Sequence, residues 1–252
     1  LYTILAESTN IYLESNEHIR AASEVTTSNQ RFVKWCMEHY PLYNYERLAP
    51  ILYDLRCIKS EKEIEIIKHA CDITANTFRK MLGLIKPGVW EYEVEAEYIY
   101  EFILHRSRGF AYTPIIGGGA NSCVLHYIEN NQQLKSGDVL LMDVGAEYGN
   151  YNADLTRTVP VNGKFTKRQR AVYDAVLRVK NDAIDMLTPG GVIPEYHKEV
   201  GKIMESELLG LGLLDKTDIK KQNPEWPAYK KYFMHGTSHH LGIDVHDVAS
   251  IY

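Results

Sequence analysis

The stretch from Leu140 to Thr158, L-L-M-D-V-G-A-E-Y-G-N-Y-N-A-D-L-T-R-T, constrains the fold more than any other part of the chain. Residues 140–146 and 151–159 are rich in apolar, β-branched and aromatic side chains with Gly149 between them, the pattern of two antiparallel strands joined by a tight turn. With Tyr148-Gly149 as a two-residue loop, Glu147 faces Asn150, and counting outward sets Asp143 directly opposite Asp154 on the same face. Directly opposed residues hold their Cβ atoms about 5 Å apart and like charges there repel, so the pair calls for a cation. Carboxylate oxygens at that separation suit a divalent ion. Two other outcomes fit the same residues: a solvated hairpin with scattered acids, or a bulge that slips the pairing by one residue and sends the acids to opposite faces.

A chain of 252 residues, 45% apolar and 24% charged, is long enough to bury a real core as one large domain or two small ones. Its net charge is −5 with Lys and Arg spread along it, so nucleic acid is not the expected partner. No apolar run is long enough to span a bilayer, and no membrane partner is expected. Cys36, Cys57, Cys71 and Cys123 form no CxxC pair, which favours reduced thiols and a cytoplasmic location. The chain opens at Leu1 without a methionine, inside what reads as a strand, so a preceding segment is expected.

Residues 2–5 and 10–13 read as short strands and residues 30–39 as a helix following Ser28, with Pro41 and Pro50 punctuating the next stretch of chain. Residues 1–56 are too few to bury a core of their own and are taken as the C-terminal remnant of an N-terminal domain. Ser60 and Glu63 form a capping box that opens a long helix with Ile64, Ile67, Cys71, Thr74, Phe78, Leu82 and Ile85 on its inward face, stopped by Pro87-Gly88. A second helix spans about 90–105. The Gly117-Gly118-Gly119 run lacks a phosphate-loop signature, and His126 alone reads as a structural histidine.

After the hairpin the signals recur. Thr166 and Gln169 form another capping box, Val172, Val176, Val179, Ala183, Ile184 and Leu187 make an apolar face, Pro189-Gly190 ends the helix, and a fourth helix starts near Pro194. Ser60 and Thr166 are 106 residues apart, Pro87 and Pro189 are 102 apart, and these offsets imply an internal repeat. The first half leads through His126 to the acidic hairpin, and the second leads to His235, His239, His240 and His246. The matching second hairpin is expected beyond Tyr252, so the chain is read as truncated at both ends. Gly236 and Gly242 argue against a helix through the histidines, so His235 and His239 are not a helical zinc pair. A polar, histidine-rich loop and a ligand site fit this segment equally. Imidazole with carboxylate suits Mn, Fe, Co or Zn better than Ca or Mg.

L-H126-Y, D-V-G-A-E-Y-G-N-Y-N-A-D-L-T-R-T and F-M-H235-G-T-S-H239-H-L-G-I-D-V-H246-D, in that order and spacing, resemble the pita-bread metallopeptidases, and within them the Xaa-Pro aminopeptidase (aminopeptidase P) family. The resemblance runs from Arg56 to the last residue, so residues 57–252 are taken as the catalytic domain with its C-terminal part missing. It implies an α+β pita-bread fold with a pseudo-twofold repeat, helices backing a curved antiparallel sheet, incomplete at the C-terminus. It also implies a site for two divalent ions, manganese first and cobalt or zinc as substitutes. Asp143 would ligate one metal, Asp154 would bridge both and His239 would ligate the other, with two glutamates expected beyond Tyr252. His126 and His246 match catalytic histidines that line the substrate site, and His235 matches a neighbouring substrate-binding position.

The implied activity is release of the N-terminal residue from peptides with proline in second position, in a cytoplasmic homo-oligomer whose partner is the peptide substrate. With three of five ligands present, the chain by itself is expected to be inactive. A prolidase is the first rival, opposed by Ser238 where prolidases commonly carry glycine. Methionine aminopeptidases match poorly around His239 and His246, creatinase lacks the two aspartates, and a non-catalytic peptide- or protein-binding module would have no use for opposed acids.

Overall fold

A computed structural model describes residues 2–14 and 25–248, so the last four residues of the expected catalytic domain lie outside it. The chain falls into two compact units, residues 1–66 with 240–252, and residues 67–239.

In the first unit, α1 (Tyr2–Ala6) is a helix rather than the short strand expected there. A five-residue apolar run carries no period that separates the two states, and here Glu7 N–H closes a helical bond to the Thr3 carbonyl at 3.3 Å. β1 (Asn10–Leu13) pairs in parallel with β2 (Asn44–Arg47). Between them α2 (Ser28–His39) starts from a Thr27/Gln30 capping box. α3 (Ala49–Cys57) carries Pro50 in its first turn, where a missing N–H costs nothing. α4 (Glu61–Leu84) opens on the expected capping box, with Ser60 N–H donating to Glu63 Oε2 at 2.7 Å.

The 240–248 segment of this unit is irregular and folds tightly around Gly242. Gly242 N–H donates to Asp244 O at 3.1 Å and Asp247 N–H to His240 O at 3.0 Å. A Cβ on Gly242 would fall 2.2 Å from Asp247 Oδ2. The Asp247 carboxylate, 1% exposed, is paired with Lys59 Nζ at 2.8 Å and with Arg56, which also reaches Asp244 at 2.6 Å. Burial alone would raise the Asp247 pKa, but Lys59, the Val248 N–H and Arg56 outweigh it and hold the carboxyl below its usual range.

In the second unit, α4 and α5 (Glu91–Leu104) back a three-stranded antiparallel sheet of β3 (Ile115–Gly118), β4 (Val139–Val144) and β7 (Leu155–Pro160), ordered β3-β4-β7. Short strands β5 (Glu147–Tyr148) and β6 (Tyr151–Asn152) close the hairpin between β4 and β7. The core between helices and sheet contains Met81, Tyr98, Phe102, Ile116, Leu140 and Met142. Leu140, Met142 and Val144 alternate into it, which turns Asp143 to the opposite face. The buried stripe of α4 is Ala70, Ile73, Thr74, Thr77 and Met81, whereas the expected Ile64, Cys71 and Leu82 are exposed. Small residues sit at the centre of the contact because α4 lies close to the end of β4: Thr74 Oγ1 donates to Ala70 O at 2.9 Å and accepts from Ala146 N at 3.0 Å. On α5, Val94 and Phe102 are buried and Ile99 and Ile103 are exposed.

The turn of the hairpin is not Tyr148-Gly149. It is Gly149-Asn150, flanked by the pair Tyr148 and Tyr151, with φ of 60° and 69° at the two central residues. Both lie in the left-handed region that a type I′ turn demands and that Gly and Asn tolerate, and the Glu147 carboxylate accepts the Asn150 N–H. The register therefore moves by two: Asp143 pairs with Thr156, and Asp154 falls across from Gly145. An even step preserves the face, so the two acids still emerge on one side, diagonally rather than directly opposed.

α6 (Lys167–Met186) opens on the expected Thr166/Gln169 capping box and α7 (Ile193–Gly210) follows. They pack on each other and on residues 228–233 through Val179, Ala183, Val200, Met204, Tyr229 and Phe233. Val176, Ile184 and Leu187, expected inward, are exposed, because the covered face of α6 is narrower than its apolar pattern. α8 (Lys216–Lys220) is capped by Asp215. The first helix of each pair is followed by a glycine in the left-handed region, Gly88 at φ 95° after α4 and Gly190 at φ 87° after α6.

Candidate functional site

Where β4 and β7 splay from the turn, regular pairing lapses at Gly145 and Asp154. Gly145 leaves room there: a Cβ would lie 1.8 Å from the Ala153 carbonyl oxygen. The neighbouring backbone groups are fixed from outside the hairpin, with Ala111 N–H on Gly145 O at 2.8 Å and Ala146 N–H on the Thr74 hydroxyl. This frame aims the Asp143 and Asp154 carboxylates at a residue that sequence reasoning missed, Tyr112. Its hydroxyl is shared between Asp143 Oδ1 at 2.6 Å and Asp154 Oδ1 at 3.1 Å. The other oxygen of Asp154 lies 3.1 Å from His239 Nε2. Asp143, Asp154 and His239, expected together, are thus brought into one linked group.

Electrostatics mark the same place. Burial pushes the Asp143 carboxyl up and the Asp154 charge adds to it, while hydrogen bonds from Tyr112 and Thr156 and the charge of His126 pull it back. Burial and the adjacent Asp143 push the Tyr112 phenol strongly upward, so it stays a donor. A partly buried carboxyl beside a second carboxylate favours any cation that can join them.

α7 positions His239. Tyr196 OH lies 3.1 Å from Ser238 Oγ, and His197 Nδ1 lies 2.6 Å from Thr237 Oγ1, which fixes the loop through Ser238 at φ 65°. Burial, then Lys230 and His235, lowers the His197 pKa. His235 packs edge-on against Phe233 at 4.8 Å, with Nδ1 2.9 Å from Gly236 O. His126 is exposed at φ 55° on the loop after β3. His246 belongs to the first unit, next to the anchored Asp247.

Two carboxylates and an imidazole are suitable donors for a divalent ion. Among the described residues, no group of three or more His, Cys, Asp or Glu side chains is placed to hold a metal ion. The donor chemistry fits, but Asp143 and Asp154 meet at Tyr112 and Asp154 meets His239, in pairs rather than as a closed cage.

Helices backing an antiparallel sheet, with paired aspartates on its far face, define the class: an α+β metallopeptidase scaffold of the pita-bread type. Residues 65–252 match metallopeptidase family M24, and the chain belongs to that family. An Xaa-Pro aminopeptidase of Haemophilus influenzae is 43% identical over 201 residues, covering 80% of this chain and 46% of that protein. The Xaa-Pro aminopeptidase of Escherichia coli is 43% identical over 202 residues, covering 79% and 45%. Proline aminopeptidase P II of Yersinia pestis superposes with a TM-score of 0.84 at 38% identity, covering 98% of this chain and 57% of that one. Zinc-substituted E. coli aminopeptidase P in complex with product gives 0.84 at 36% identity, covering 98% and 56%. The fold is therefore that of aminopeptidase P, and the chain spans about half the length of the relatives it matches. Family membership implies chemistry with divalent metal ions. No described helix is long and apolar enough to cross a membrane.

Proposed function

We propose that this chain carries part of the catalytic site of a metal-dependent Xaa-Pro aminopeptidase, which releases the first residue from peptides with proline in second position. The observation that supports this reading is the convergence of Asp143 and Asp154 on one hydroxyl with His239 against Asp154. Asp143, Asp154 and His239 would hold the metal, two manganese ions when the set is complete, with residues 57–252 as the catalytic domain. A bound divalent ion lowers the pKa of a coordinated water towards neutrality and polarises a carbonyl. The chain's own part is to hold two carboxylates on one face, oriented by Tyr112. His126 and His246 donate hydrogen bonds to the oxygen that gains charge, or to the departing proline nitrogen. His235 contacts the substrate. The same reading takes the protein as a cytoplasmic homo-oligomer.

The test has two arms. With Mn, the whole protein should release the first residue from Xaa-Pro-Xaa peptides; cleavage of Xaa-Pro dipeptides alone would replace this reading with a prolidase. Calorimetric titration of Mn into this chain should show weak binding, and Asp154→Asn should weaken it at least about tenfold. Equal affinities for the two would remove Asp154 from the ligand set.

A further inference from the structure

Residues 119–132 contain one 3-10 turn, Gly119–Cys123, and otherwise no regular structure, yet they carry His126 in a left-handed conformation at φ 55°. Such a loop does not order itself. Its anchor lies beneath it: Glu91, the first residue of α5, has a carboxylate that is 0% exposed, and its bonding partners among the described residues include no cation.

Four donors from the loop and its borders converge on that carboxylate. Gly118 N–H at 2.7 Å and Asn121 Nδ2 at 3.2 Å bind Oε1; Tyr127 OH at 2.7 Å and Gln132 N–H at 2.9 Å bind Oε2. The remaining Asn121 amide hydrogen goes to Tyr127 OH at 2.9 Å, which ties together the two side chains that bracket His126. Burial, then the bond to Glu91, pushes the Tyr127 phenol up to about 12, so it remains a donor. Nearby, Asn130 accepts from Ile116 N at 3.0 Å and donates to Pro114 O at 3.0 Å, fixing the return of the loop to the sheet.

We infer that Glu91 is a positioning residue for His126: its buried carboxylate gathers both ends and the middle of the 118–132 loop and thereby sets where the imidazole stands. A carboxylate is required because only an acceptor-only group can take four donors at once. A glutamine would present an amide N–H2 to one pair of them. The role of His126 in handling substrate rests on the function proposed above; its placement by Glu91 does not, and the experiment reads placement alone.

The experiment compares the chain with its Glu91→Gln variant by histidine-selective NMR and amide hydrogen exchange. In E91Q the His126 ring signals should shift and broaden. Amides of residues 118–132 should exchange at least about tenfold faster while those of β4 and β7 keep their rates. A folded E91Q with unchanged His126 signals and loop exchange overturns the inference. Should E91Q fail to fold, Tyr127→Phe removes one donor and leaves the carboxylate buried with three. It should move the His126 signals in the same direction, and no movement there also overturns the inference.

Discussion

Gly145→Ala and Gly83→Ala place the same methyl group in two opposite surroundings. At position 145 the new Cβ would lie 1.8 Å from the Ala153 carbonyl oxygen and 2.7 Å from the Ala153 carbonyl carbon, both backbone atoms. Neither chain can withdraw easily. Gly145 O is held by Ala111 N–H, Ala146 N–H by Thr74, and Ala153 N–H by Ala146 O at 3.0 Å. Overpacking against a movable side chain costs about 1–3 kcal/mol, and a pinned backbone puts this case at the upper end, about 3 kcal/mol. At position 83, in the last turn of α4, nothing but the helix's own adjacent chain lies within 4 Å of the new Cβ. Alanine there gains helix propensity, about 0.5 kcal/mol so near the helix end. At about 2–4 °C per kcal/mol for a domain of this size, G145A should lower Tm by roughly 6–12 °C and G83A should raise it by roughly 1–2 °C. Thermal unfolding followed by circular dichroism at 222 nm measures both. A G145A protein melting within about 2 °C of the parent would refute the claim that the lapse in the hairpin is a close-packed joint.

Thr74→Val keeps the shape but orphans the buried Ala146 N–H, so urea denaturation should show a loss of about 1–3 kcal/mol; a loss below about 0.5 kcal/mol would mean that water replaces the hydroxyl. Asp247→Asn should cost about 2–3 kcal/mol, less than a fully buried pair because Arg56 keeps Asp244. The sign of the shift sets the pH dependence. The native carboxyl is held below its unfolded value, so its contribution is complete above the ordinary Asp pKa of about 3.9 and disappears as pH falls through the lower native value. Denaturant midpoints of the parent should therefore fall more steeply than those of D247N on acidification below about pH 4, and parallel curves would count against the ion-pair account.

Long-range punctuation is legible in the sequence. The capping boxes at Ser60 and Thr166 and the Pro-Gly stops place both long helices and expose the repeat, because each acts through backbone groups within a few residues. Facing directions are less legible. On α4 the apolar pattern points to Ile64 and Leu82, but the helix buries Ala70 and Thr77 beside the expected Thr74, since the distance of closest approach to the sheet, invisible in the chain order, selects small residues. The expected hairpin turn is one residue out of place because Asn150, beside Gly149, also takes a left-handed turn conformation. Asp143, Asp154 and His239 are found from their motif; Tyr112 is not, because a lone tyrosine 31 residues before Asp143 carries no local signal. Thr156 could have been found, since it lies in the same motif and bonds Asp143.

The I′ bend at Gly149-Asn150 also limits how this ribbon can vary in length. Inserting a single amino acid on one arm would invert every side chain beyond it, sending Asp154 towards the helices while Asp143 stayed put. Insertions in pairs would leave both acids on their shared side and merely slide them past each other. Natural variation or engineering at this tip should therefore tolerate even changes and reject odd ones, unless a bulge absorbs the extra residue.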